Sequence, residues 1–250
     1  MKVLVTGSAD GLGLLSARWL AERGHEVVLH ARDDRRAAEA TAAVPGATSA
    51  VVADLADLAA VQRLARRLDP VDTVIHNAGV GYTRPRREEG ADGHELHLTV
   101  NVLGPYLLTV TMPRPSRLVW LSSGMHRGGD PSLDDLEWVR RRWSGSAAYS
   151  DSKLFDVGLA LAFARLWPEV TSHAVEPGWV ATKMGGPGAP DDLQAGAETQ
   201  AWLATTDDDV GTGGYWYHRR RRQPLEVTTD PAWQDRLLAA CAAATGVDVT

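Results

Sequence analysis

Tyr149 and Lys153 stand four residues apart in Ala147-Ala148-Tyr149-Ser150-Asp151-Ser152-Lys153. On a helix, residues at i and i+4 share a face. An ammonium held beside a phenol stabilises the phenolate and draws the tyrosine pKa toward working pH. Such a tyrosine can give or take a proton at a carbonyl or alcohol oxygen. Lysine occurs only at positions 2, 153 and 183, although Lys and Arg together number 26. A chain that elsewhere uses Arg has Lys here, where a compact, tunable ammonium differs most from a guanidinium.

A second constellation lies at the N-terminus. The apolar run Val3-Leu4-Val5 leads into Thr6-Gly7-Ser8-Ala9-Asp10-Gly11-Leu12-Gly13, and a helical pattern with Leu12, Leu15, Trp19 and Leu20 on one side follows. Strand, glycine turn and helix form a phosphate cradle: the glycines admit a close pyrophosphate, and the helix N-terminus supplies amides and dipole. Gly7, Ser8, Gly11, Leu12 and Gly13 are its candidate residues, although the glycine spacing is not the strict G-x-G-x-x-G.

The ordered set Thr6-Gly7-x-x-x-Gly11-x-Gly13, Asn77-Ala78-Gly79, Asn101, Ser123, Tyr149 and Lys153 resembles the single-domain short-chain dehydrogenase/reductase family over nearly the whole chain. The long interval between Ser123 and Tyr149, the segment Glu176-Pro177-Gly178-Trp179-Val180-Ala181-Thr182 and the late Gly213-Gly214-Tyr215-Trp216-Tyr217 are similar to its retinol-dehydrogenase-like and WW-domain-oxidoreductase-like branch.

The resemblance implies roles. Tyr149 would be the general acid in reduction and the base in oxidation. Lys153 would tune it and hold the nicotinamide ribose, Ser123 would orient the substrate oxygen, and Asn101 would hold a water through its backbone. Of Ser122 and Ser123, adjacent and therefore on opposite faces of a strand, the resemblance selects Ser123. Asp54 and Leu55 would contact adenine, with an N-cap for the next helix as the competing role of Asp54. Asn77, Ala78 and Gly79 would pass beneath the adenosine ribose. Pro177, Gly178, Val180 and Thr182 would border the nicotinamide, with core packing as the alternative for Val180 and Trp179.

The expected cofactor is NADP(H) rather than NAD(H). A strand ending His30-Ala31-Arg32 places no acid where NAD-binding folds usually take the ribose 2′-hydroxyl, and a nearby Arg can hold a 2′-phosphate. Asp33, Asp34 and Asp10 weigh the other way. Arg35 and Arg36 read as solvated helix charges.

Alternating strand and helix patterns predict an α/β fold: a doubly wound Rossmann parallel sheet of about seven strands, with helices on both faces. Strands are expected near 2–6, 26–30, 48–52, 71–76, 117–121, 170–175 and 213–217. Helices are expected near 12–23, 34–43, 57–68, 91–111, 149–166, 193–205 and 231–244. No linker or repeat interrupts the 250 residues, so residues 1–250 read as one domain carrying both cofactor and catalytic groups. Irregular segments 79–90, 124–145 and 184–192 follow strand ends and are expected to overhang one crevice. Pro113 and Pro115 predict a helix stopping near Thr111. In the family the longer counterpart often forms a dimer interface, so a homo-oligomer of the usual kind is in doubt.

The formal charge of −6 does not suggest a nucleic-acid surface. No apolar run approaches the roughly 18 residues that span a bilayer, and glycines interrupt any signal-peptide pattern. A cytoplasmic protein acting on a small molecule is expected, with no membrane partner. Cys241, the single cysteine, reads as packing. His94-x-x-His97 has ligand-like spacing but no third ligand, so both read as helix-surface histidines and no metal is expected. The run His218–Arg222 reads as a solvated patch, and Trp216 and Tyr217 could line an apolar pocket or pack.

These features predict an NADP(H)-dependent oxidoreductase interconverting a carbonyl and an alcohol on a small or mid-sized organic substrate. The alternatives are a non-catalytic NADP-binding regulator or scaffold, a nucleotide-sugar epimerase or dehydratase, and a non-redox biosynthetic enzyme on the same fold. The second of these is disfavoured by the glycine spacing and the missing substrate domain.

Overall fold

The computed structural model describes residues 1–249. Its strands are β1 (Lys2–Val5), β2 (Glu26–Ala31), β3 (Ser49–Val52), β4 (Thr73–His76), β5 (Arg117–Leu121), β6 (Thr171–Glu176), β7 (Gly214–Tyr217) and β8 (Arg220–Arg222). Its helices are α1 (Gly11–Glu22), α2 (Asp34–Ala43), α3 (Leu58–Arg67), α4 (Gly104–Thr111), α5 (Gly145–Leu166), α6 (Leu193–Thr205) and α7 (Pro231–Thr245). The strands form one sheet in the order β3-β2-β1-β4-β5-β6-β7-β8. All neighbours pair in parallel except β7 and β8. The order reverses between β1 and β4, and such a switch point opens a crevice at the carboxyl ends of the strands.

Two cores follow from strand alternation. Leu4, Val28, Val74, Leu118, Trp120 and Ala174 face one apolar layer together with residues of α3, α4, α5 and α7. Val3, Val5, Val27, Leu29, Ile75, Val119 and Val175 face the other, with residues of α1, α2 and α6. Acidic or hydroxyl N-caps start most helices: Asp10, Asp33, Asp57, Ser144, Asp192 and Asp230 each accept a first-turn amide. Helix α4 stops at Thr111, where Met112 turns extended ahead of Pro113, as expected. Among the described residues no helix is long and apolar enough to cross a membrane.

Two elements depart from expectation. The helix expected over 91–111 begins only at Leu96 and passes into a π-helical turn over Leu98–Leu103 that runs into α4. Gly93 lies at φ 82°, and Glu95 spends its carboxylate on the Leu98 amide (2.8 Å), which fixes the start. The arginine run after β7 is exposed, but it is also a strand. His218 and Arg219 take φ values of 47° and 58°, and the chain turns back so that Tyr217 pairs with Arg220. Backbone pairing forms this edge without any apolar demand, which is why hydropathy does not reveal it.

Candidate active site

The glycine turn after β1 is held from three sides. Thr6 Oγ1 accepts the Asn77 and Ala78 amides at 2.9 and 3.0 Å, and Asn77 Nδ2 donates to Thr6 O at 2.9 Å. A Cβ on Gly13 would lie 2.3 Å from Asn77 Nδ2 and 2.4 Å from Gly7 O, so only glycine fits there. His30 closes the third side. The Gly7 amide donates to its Nδ1 at 3.1 Å, and its Nε2 donates to Ala53 O at 3.0 Å. This assignment makes His30 neutral, and burial lowers its pKa to about 4. Ser8 Oγ accepts the His30 amide at 2.9 Å. The first-turn amides of α1, including Leu12 and Gly13, have no carbonyl before them, and such a helix N-terminus is suited to an anion.

Asp10 caps α1 at the same place, where its charge would oppose a phosphate. It is offset by an ion pair with Lys183 and a 3.4 Å contact with Arg36, and the Lys183 bond leads the influences that lower its pKa. Arg32, Arg35 and Arg36 all line the cavity. Arg36 is only 23% exposed, so the expectation that it is a solvated helix charge is corrected. Asp33 turns away to cap α2, accepting the Arg36 amide at 2.8 Å.

The cavity holds about 1180 Å³ and runs from Gly7, past Asp54, Leu55 and Asn77–Gly79, to Ser123, Tyr149, Lys153 and the stretch from Glu176 to Val180, then Thr182–Gly185. That exceeds the ~300–1,000 Å³ of ordinary ligand pockets and suits a long, two-part ligand. Asp54 does not cap α3, a role taken by Asp57. Its carboxylate instead accepts the Ala56 amide at 2.9 Å. Val180 is buried, whereas Trp179 is 56% exposed and donates through Nε1 to Gly185 O at 2.8 Å.

Helix α5 carries the reactive pair, and its N-terminus is pressed against the loop after β4: a Cβ on Gly145 would meet Arg84 O at 2.5 Å. Tyr149 and Lys153 are both buried, and the Lys153 ammonium lies 5.7 Å from the Tyr149 ring centroid. Ser122 is sequestered, donating to Lys153 O at 2.7 Å. Ser123, across the peptide, accepts the Met125 amide at 3.2 Å, and its hydroxyl lies where it favours the Tyr149 phenolate. Burial nevertheless dominates Tyr149 and raises its pKa, with Lys153 and Ser123 pulling the other way. The downward shift expected from the Tyr-Lys spacing is therefore not the net result. Lys153 Nζ donates to Leu121 O and to Asp156 Oδ2, each at 2.7 Å, so its charge is shared with a carboxylate. Asn101 sits in the π-helical turn. Its side chain accepts the Val80 amide at 2.8 Å and donates to Ser152 Oγ at 2.9 Å, pinning the loop after β4 to α5.

The irregular segments divide. The first and third meet over the cavity, where a Cβ on Gly81 would lie 2.6 Å from Met184 Cγ. The second contributes only Gly124 and Met125 to the lining. Its remainder gathers around Arg141, which pairs with Asp130, Asp135 and Asp151 and stacks on Trp138, so the expectation that all three overhang the crevice holds for two. Trp216 and Tyr217 do not line the cavity; Trp216 packs edge-on against Trp202. His94 precedes the helix and His97 lies in its first turn facing inward, so neither is a surface residue of it. His97 is fully buried between Glu95 and Gly81 O, and His94 bonds Glu137.

Residues that the sequence reading gave no place in the site are Asp156 and Tyr82, together with Arg36, read there as solvated, and Glu176, named there only as part of a segment. Asp156 was legible in principle, three residues beyond Lys153 on the same helical face. Tyr82, whose ring centroid lies 5.7 Å from that of Tyr149, depends on a loop path that no local pattern gives.

A family model described as short chain dehydrogenase matches residues 1–117. The chain is 40% identical to the uncharacterized oxidoreductase AN7799 of Emericella nidulans, covering 100% of this chain and 98% of that protein. It is 34% identical to human retinol dehydrogenase 13, over 73% of this chain and 60% of that one. Among solved structures, an uncharacterized protein from Mycobacterium paratuberculosis aligns with a TM-score of 0.89 at 28% identity, covering 100% of this chain and 94% of that chain. BdcA in complex with NADPH aligns with a TM-score of 0.68 at 25% identity, covering 86% and 91%.

Proposed function

The chain belongs to the short-chain dehydrogenase/reductase oxidoreductases, and from that premise we propose that it interconverts a carbonyl and an alcohol on a small or mid-sized organic substrate with NADP(H). The observation that carries the reading is the joining of the glycine turn and the Ser123-Tyr149-Lys153 wall in one cavity. In this reading residues 1–250 act as one domain, in the cytoplasm.

The residues present fit the cofactor. Gly7, Gly11 and Leu12 line the cavity where its pyrophosphate would lie, whereas Ser8 and Gly13 are buried behind them and shape the turn, with Asp54 and Leu55 at the adenine. Asn77, Ala78 and Gly79 would lie along the adenosine ribose. Pro177, Gly178, Val180 and Thr182 would border the nicotinamide. Arg32 after β2 and Arg35 and Arg36 in the first turn of α2 line the cavity while Asp33 does not, which supports NADP(H) over NAD(H). The bound nicotinamide supplies or accepts the hydride.

The chain's own groups handle the oxygen. Ser123 and Tyr149 donate to the substrate oxygen, whose negative charge grows as the carbonyl is reduced, so both bonds strengthen in the transition state. Tyr149 then gives its proton to that oxygen, and the carbonyl leaves as the alcohol. Lys153 steadies the resulting phenolate, which regains a proton from solvent. Asn101 holds the loop and π-helical turn that leave this path open.

The test is turnover of NADPH and NADH with a panel of aldehydes and ketones, and of the oxidised cofactors with alcohols. Tyr149→Phe is expected to lose on the order of 10²–10⁴-fold in kcat, the usual contribution of a positioned proton donor, with cofactor affinity kept. Turnover that survives in Tyr149→Phe removes Tyr149 from proton transfer. Tight cofactor binding without turnover turns the reading to the regulator.

A further inference from the structure

Lys153 is not left to face Tyr149 alone. Asp156, one turn further along α5, is 3% exposed, and its carboxylate lies 2.7 Å from the Lys153 ammonium. The second anchor of the ammonium is the Leu121 carbonyl at the end of β5, also at 2.7 Å. Two of its three donors are thus spent on protein groups. A Cβ on Gly79 would lie 3.7 Å from Nζ, so the remaining donor has the loop after β4 and the cavity before it.

We propose that Asp156 is a positioning residue that holds the Lys153 ammonium in place and offsets its charge at Tyr149, keeping the phenol a proton donor and suiting the site to carbonyl reduction. This rests on the redox reading above and deepens it. A lone ammonium beside a buried phenol favours the phenolate, the form that oxidation needs. An ammonium joined to a carboxylate presents a dipole whose field falls off faster, so its pull on the phenol shrinks. The titration tendencies agree with the geometry. Burial acts on Lys153 against its charge, yet Asp156 and Tyr149 leave it raised overall. Burial raises Asp156 to about 6, so both members are charged at pH 7.

The groups around the pair do not replace this balance. Cys241 faces it from α7 and is held as a neutral thiol, its pKa raised to about 12 by burial and by Asp156. Tyr82 stands across the cavity from Tyr149. The His97 ring, paired with Glu95, lies 6.4 Å from the Tyr149 ring on its far side. Ser123 brings a hydroxyl without charge.

Asp156→Asn separates charge from geometry, because an amide oxygen can still accept from Lys153. The direct readout is the ultraviolet phenolate difference titration of Tyr149, taken as the protein minus its Tyr149→Phe counterpart. In the wild type the Tyr149 phenolate is expected to form above pH 10, and a phenolate forming near neutrality overturns the proposal without any Asp156 variant. In Asp156→Asn the titration is expected to fall by about one unit or more, the scale on which a neighbouring charge acts. The acid limb of alcohol oxidation should fall with it while the substrate KM stays near its wild-type value. Asp156→Glu, which restores the carboxylate, should return both toward the wild type. A titration that does not move in folded Asp156→Asn overturns the proposal. If the wild type turns over no carbonyl or alcohol, the redox reading fails, whereas the titration still decides the role of Asp156.

Discussion

At the scale of single residues, the charges lining the site come in pairs, both at its exposed rim and in its buried wall. Asp10 at the start of α1 is tolerable beside a phosphate only because Lys183 and Arg36 answer it. Arg36 faces Asp10 and, in the proposed reading, a 2′-phosphate as well, and one substitution separates the two. Arg36→Ala is expected to lower kcat/KM for NADPH by at least tenfold and to leave that for NADH within a few-fold, because a charge-assisted hydrogen bond contributes about 1.5–3 kcal/mol. Equal losses with both cofactors would mean that Arg36 acts through Asp10 and not on a 2′-phosphate. His30 shows the same economy in a neutral form: one ring receives the Gly7 amide and donates to Ala53 O, joining the phosphate turn to the end of β3.

At the scale of elements, much was legible before any coordinates. The alternation of the parallel strands and the proline stop after Thr111 are local signals, and most elements fall within a few residues of their patterns, although the cap offered for the third helix, Asp54, proves to be Asp57. The helix start at Leu96 was not legible, because it is set by a Glu95 side-chain bond to the Leu98 amide and not by hydropathy. Strand β8 was hidden for another reason, since three exposed arginines carry no apolar pattern. In the site, Tyr149 and Lys153 were readable from spacing, whereas Tyr82 and the Arg141 cluster depend on loops whose paths are settled by distant contacts. The β7–β8 turn offers a test of its own. Two-residue hairpin turns with positive φ at both central positions favour Asn-Gly, and here they hold His218 and Arg219 at 47° and 58°. Replacing the pair by Asn-Gly is expected to stabilise the protein by about 1 kcal/mol, raising Tm by roughly 2–4 °C in a chain of this size, as calorimetry would show.

At the scale of the whole molecule, both layers of core bury neutral histidines. Burial lowers His30 to about 4, His76 to about 3 and His173 to about 4. A histidine whose folded pKa lies below its unfolded value stabilises the fold above the unfolded pKa of 6.5, and that contribution is lost as pH falls from there toward the folded value. Each is worth on the order of 3–5 kcal/mol at most. Asp156, raised by burial, acts in the opposite sense over a narrower window between its ordinary value and about 6. The urea midpoint is therefore expected to be clearly lower at pH 5 than at pH 7.5, and an equal midpoint would show that these rings are not held neutral.

The hairpin that ends the sheet also governs how copies of the protein meet. Strand β8 is an outer edge of the sheet, and a bare edge is a template on which a second chain can add. Here that template carries Arg220, Arg221 and Arg222 in succession, all exposed. A second copy docking edge to edge would bring guanidinium against guanidinium across a strand spacing of about 4.8 Å, well inside the Debye length of about 8 Å at physiological salt. The edge thus works as a repulsive fence against fibre-like stacking. Raising ionic strength lowers that fence, so colloidal stability should worsen with added salt, opposite to the behaviour of a protein whose aggregation is driven by attraction between unlike charges.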